Sequence, residues 1–152
     1  MANDAFDFTS IFGILPKMEE VKNALNSCTN FSELSEGEML PNYAASIAKT
    51  INVTPTQLRR FYTYVKSIEQ ANRLSPEKAT SASEGFKDKY KLKFLLPKLA
   101  GSSERDSLKQ LYEIFAIAIP KINTVGDLRM FVEFFEAVLD YHSTLNTKKK
   151  DK

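Results

Sequence analysis

The sequence predicts an all-α protein, a single compact bundle of five to six helices. Three observations carry that prediction. Apolar residues recur at three- and four-residue steps through much of the chain, the period of helices that turn one face to a core. Two of these stretches open on capping signals, Thr54-Pro55 with Gln57 and Thr124 with Asp127, which supply partners for the unpaired amides of a first helical turn. No strand alternation and no hairpin signal accompanies them.

In chain order, Met18, Val21, Ala24 and Leu25 predict a short helix, and Tyr43, Ile47, Ala48 and Ile51 another with Pro41 near its start. Behind Pro55, the stripe Leu58, Phe61, Tyr62, Val65, Ile68 and Asn72 predicts a longer helix that frays after Arg73, ahead of Ser75-Pro76. The segment SPEKATSASEG (75–85) is small and polar, bounded by proline and glycine, and is expected to be a mobile loop. A helix is expected through 86–99, with Leu92, Leu95, Leu96 and Leu99 as its core stripe. Leu108, Leu111, Tyr112, Phe115, Ala118 and Ile119 make the next, stopped by Pro120. Its IFAIAI half is apolar nearly all round, as in a helix central to its domain or shared with a second subunit. The last helix carries Leu128, Phe131, Val132, Phe135, Val138, Leu139 and His142. One helical domain is expected over 1–146, least defined over its first 15 residues, with the basic TKKKDK (147–152) a disordered tail.

At 43% hydrophobic and 26% charged residues, the composition is that of a folded globular domain. Cys28 is the single cysteine, which excludes an internal disulfide and suits a reducing compartment. No apolar run approaches the ~20 residues of a membrane span, and the opening MANDAFDFTS is not expected to be a secretory signal. Nothing resembles a zinc-ligand set, a phosphate-cradling glycine loop or a nucleophile elbow. His142 sits on an apolar stripe, as core histidines do, and Cys28 has no activating signature around it. Glu133, Glu136 and Asp140 line one side of the last helix without convergent partners, the pattern of a solvated face. Neither catalysis nor a metal or other cofactor is expected.

The charge is unevenly spread. Residues 1–53 hold three Lys against seven carboxylates, 54–105 hold eleven Lys or Arg against five, and 106–152 hold seven of each. Formal net charge is therefore −4, +6 and 0 in turn, summing to +2. A cationic middle on a near-neutral chain reads as a localised patch. Lys87, Lys91, Phe94 and Lys98 share one side of the 86–99 helix, while Arg59, Lys66 and Arg73 recur every seven residues beside the stripe of the Pro55 helix, with Arg60 pointing elsewhere. If those two helices pack side by side, their cations merge. Such an array neutralises successive phosphates, and Phe94 or Tyr90 among the lysines can stack an unpaired base or fill a helix interface. From the residues alone, an anionic partner and a solvated face both remain open.

The stretches T-P-T-Q-L-R-R-F-Y (54–62), L-L-P-K-L-A-G-S-S-E-R (95–105) and F-V-E-F-F-E-A-V-L-D-Y-H (131–142) resemble the small helical subunit of type III-A CRISPR (Csm) interference complexes. Leu95, Pro97, Lys98, Leu99, Ala100 and Arg105 match that family's central segment, and Phe134, Phe135, Glu136, Ala137, Tyr141 and His142 its later one. Leu96, Gly101, Glu104 and Asp140 depart from it. The resemblance spans roughly 54–142. It implies a non-catalytic, cytoplasmic protein of antiviral defence, present in several copies stacked beside backbone subunits and following guide RNA with its bound target single-stranded RNA. No membrane and no small-molecule substrate enter. Arg59, Arg60, Lys66, Lys91, Lys98 and Arg105 are the expected RNA contacts, to phosphates and shape rather than sequence. Phe134, Ala137 and Tyr141 share a side of the last helix and are expected either at a subunit interface or against another helix of the bundle. The alternative from a different class is a helical adaptor that binds only protein. A helix-turn-helix DNA reader and an enzyme rank below both.

Overall fold

The computed structural model describes residues 14–37, 39–72, 89–102 and 107–150, leaving aside the side chains of 35–37 and 145–150. Among these every regular element is helical: α1 (Met18–Ser27), α2 (Leu40–Thr50), α3 (Pro55–Ala71), α4 (Tyr90–Lys93), α5 (Leu95–Ala100), α6 (Lys109–Ala118) and α7 (Val125–Lys150), with 3₁₀ turns at Phe31–Gly37 and Ile119–Lys121. The expected loop at 75–85 and residues 1–13 lie outside the described residues.

The spine of the bundle is α7. It packs along α2 and α3 and against the Phe31–Gly37 turn, while α6 packs on α1 and α5. Its phenylalanines meet rings from the elements that cover it in one connected cluster. Phe131 meets Phe115 of α6 at 5.1 Å and Phe31 at 5.5 Å between centroids, Phe135 meets Phe115 at 5.0 Å and Tyr62 of α3 at 5.6 Å, and Phe134 meets Phe31 at 5.6 Å. All five contacts are edge-on, the orientation favoured by ring quadrupoles and worth about 0.5–1.5 kcal/mol per pair beyond area burial. The IFAIAI helix shares the centre rather than occupying it: Ile114, Phe115 and Ala118 are fully buried, but Ala116 and Ile117 keep partial exposure.

The α7 start forms as its residues predict. Asp127 N–H donates to Thr124 Oγ1 at 3.0 Å, and Asp127 Oδ2 accepts from the amides of Thr124 (3.1 Å) and Asn123 (3.0 Å). The start of α3 forms by half. Gln57 N–H donates to Thr54 Oγ1 at 3.1 Å, but the Gln57 side chain, instead of returning to the cap, donates to Ser102 Oγ at 3.3 Å. At the other end of α1, the Lys121 ammonium donates to the carbonyls of Asn26 and Cys28, supplying the cation that a helix C-terminus favours.

One expectation is corrected. The helix through 86–99 is broken at Phe94 into α4 and α5. Pro97 has no amide to offer the Lys93 carbonyl and its ring crowds that oxygen, so the helix stops and restarts with Pro97 in the first turn of α5, where proline is tolerated. The backbone of α7 runs on to Lys150, into the stretch 147–152 expected as a tail.

Candidate nucleic-acid interface

Along α3, Leu58, Phe61, Val65 and Ile68 are buried, so residues one step round the helix face its neighbour. Gln57, Arg60, Tyr64, Ser67 and Ala71, spaced by three and four, form one wall of a groove; Lys91, Phe94, Lys98, Gly101 and Ser102 of the α4–α5 segment form the other. Tyr64 is the staple between them. Its hydroxyl donates to the Lys91 carbonyl at 2.7 Å, and the Lys98 ammonium stands 4.7 Å from the centre of its ring. Burial raises the Tyr64 pKa, with Lys91 opposing and Tyr90 adding to that shift, so the phenol holds its proton for that bond.

Tyr64 divides the groove. One half, about 560 Å³, is lined by Gln57, Arg60, Thr63, Tyr64, Lys98 and Ser102 among others. The other, about 230 Å³, is lined by Tyr64, Ser67, Ile68, Ala71, Lys91 and Phe94. Among the described residues no carboxylate lines either half. Glu133, Glu136 and Asp140 stand exposed on α7. Tyr90 and Phe94 are 57% and 51% exposed and touch edge-on at 5.7 Å, making an aromatic rim beside the smaller half.

The predicted cations separate. Arg60, Lys91 and Lys98 come together in the groove. Arg59 is exposed on the adjacent face near Tyr62, where Glu136 and Asp140 of α7 also act. Lys66 is half-buried with its ammonium 3.5 Å from Glu69. The pairing of α3 with 86–99 that would merge the charges is therefore observed, but through Arg60, the arginine expected to point away. Arg105, like Arg73 and Lys87, lies outside the described residues. Tyr64 escaped the sequence reading altogether. Its signal was the second periodic line, Gln57, Arg60, Tyr64 and Ser67, beside the core stripe.

Of the two expectations for the α7 trio, a subunit interface or packing within the bundle, the second describes Phe134. It is 2% exposed and packed on Phe31, because the 3₁₀ turn that carries Phe31 covers that side. Ala137 and Tyr141 are half-buried against the same core.

Nothing in the described residues assembles a reaction centre. His142 is 1% exposed inside the bundle. Cys28 is buried, donates to the Leu25 carbonyl at 3.3 Å, and has its thiol pKa raised by desolvation, Lys121 notwithstanding, which keeps it protonated and unreactive. No group of three or more His, Cys, Asp or Glu suited to a metal ion, and no helix long and apolar enough to cross a membrane, occurs among the described residues.

Compared with known proteins, residues 16–148 match a family model described as Csm2 Type III-A. Neither curated proteins nor solved structures give a match.

Proposed function

The chain belongs to the Csm2 type III-A family, the small subunits of type III-A CRISPR effector complexes, and on that premise we propose that it is a non-catalytic subunit that holds guide and target RNA by the backbone along the α3/α4–α5 groove. The observation that carries this reading is the convergence of Arg60 from α3 with Lys98 from α5 on one groove that no carboxylate lines among the described residues. Phosphates are the anions such a channel accepts in series, with affinity driven by counterion release. Lys91 extends the array, and Arg59 flanks it. Lys66 contributes less, its charge being partly met by Glu69; Arg105 stays in the proposal on its place in the sequence.

Family membership entails association with other subunits of the complex. Stacking of further copies of the chain belongs to the proposal, and on α7 Ala137 and Tyr141 are the residues left for such contacts. The cytoplasm is the compartment proposed.

Reversal of both groove cations, Arg60→Glu with Lys98→Glu, is expected to weaken single-stranded RNA binding at least tenfold. It should also flatten the dependence of log K on log salt by roughly 1.4, the share of two phosphates, without changing far-UV circular dichroism or the melting temperature. Undiminished binding sinks the groove assignment. Protein partners retained by the wild-type chain with no RNA at low salt select the adaptor reading instead.

A further inference from the structure

Phe94 is a large apolar side chain held half in water at the break between two helices, with Tyr90 against it. The break fixes its direction. Because Pro97 interrupts the helix, Phe94 serves α4 and α5 as a joint, its own amide bonded to the Lys91 carbonyl at 3.1 Å and its carbonyl to the Lys98 amide at 3.3 Å. Behind it lies the smaller half of the groove, floored by Ile68 and Ala71, with the Ser67 hydroxyl and Lys91 on its walls. Ser67 donates to the Tyr64 carbonyl at 2.6 Å, so its oxygen retains capacity to accept from an incoming N–H.

An apolar floor, an aromatic wall, one hydroxyl and flanking ammonium groups are what a single unpaired nucleobase requires: a π-face to stack on, an edge partner, and cations for the phosphates on either side. We infer that the pocket between Phe94 and α3 takes one unpaired base of a bound single strand, splayed from its neighbours and stacked on Phe94. The inference rests on the nucleic-acid reading above and adds to it a preference for unpaired over paired RNA, since bases stacked within a duplex show a protein their edges and not their faces. A protein anchor is disfavoured by the surroundings. Lys91 and Lys98 stand on the groove beside Phe94, and among the described residues no acid lines the pocket.

The test uses the full chain with a mixed-sequence oligoribonucleotide, the same sequence as a duplex, and a single strand bearing one 2-aminopurine. Phe94→Ala is expected to weaken single-strand binding about tenfold with the salt slope and duplex binding unchanged. Phe94→Tyr should restore it, and wild-type protein should raise 2-aminopurine fluorescence, as the base leaves its neighbours, where Phe94→Ala does not. Since Phe94 is half exposed, the variant should melt with the wild type; Tyr90→Ala, acting on the rim alone, provides a milder second variant expected to share the direction of the effect. Salt-dependent RNA binding that ignores Phe94, with no rise in fluorescence, overturns this inference and leaves the backbone reading standing. Equal losses on single strand and duplex overturn it too. No RNA binding by the wild-type chain removes both readings.

Discussion

Asp127 does two things with one carboxylate. It closes the first turn of α7 through the amides of Asn123 and Thr124, and it ties that turn to Phe31–Gly37 through the Ser32 amide at 3.0 Å. Burial works to raise its pKa, but the bonds from Asn123, Ser32 and Thr124 outweigh burial and leave it below the ordinary value. A carboxylate whose folded pKa is depressed stabilises fully above its unfolded pKa of about 3.9 and loses that contribution as pH falls through the folded value. Asp127→Asn replaces an acceptor by a donor facing amide N–H groups. It is expected to cost about 2 kcal/mol at pH 7, and the difference from wild type should shrink below about pH 4. Urea denaturation across pH measures both. A gap that persists undiminished into acid would show that the bonds, rather than the charge, supply the effect.

The α4–α5 segment shows how one residue sets the form of an element. The leucine spacing through 86–99 is that of one helix, and Leu92, Leu95 and Leu99 are fully buried as that spacing requires. Pro97 nonetheless divides it at Phe94. Pro97→Ala restores the missing donor and removes the ring, so α4 and α5 are expected to join. Helical ellipticity should rise with a melting temperature equal to or above that of wild type, because an interior proline costs a helix about 3 kcal/mol. Single-strand RNA binding should fall, because Phe94 leaves the orientation that the break imposes. Unchanged ellipticity would mean that packing on α3 and α6, not proline, makes the break.

Across the whole molecule, α2 packs along α7, and α3, α6 and the Phe31–Gly37 turn meet it through its phenylalanines. Phe131→Ala opens a void where Phe31, Phe115 and Phe135 meet. A loss of about 3–5 kcal/mol is expected, a large part of the 5–15 kcal/mol typical of a domain; chemical denaturation measures it, and a cost below 1 kcal/mol would contradict the spine assignment. Sequence alone determined the all-α class, the start of α7, the core stripes and the cationic middle, because each depends on residue type and helical period within a few turns of chain. Family resemblance added the RNA-complex expectation. Which cations meet was decided only in three dimensions. On α3, Arg59 and Arg60 lie 100° apart, and nothing in their own helix says which of them faces a partner. The docking of α4–α5 chose Arg60, with Tyr64 as the staple. Phe134 was settled in the same way, by a 3₁₀ turn about a hundred residues earlier that has no apolar periodicity to announce it. Period states that a face exists; only contact between segments distant in the chain decides what covers it.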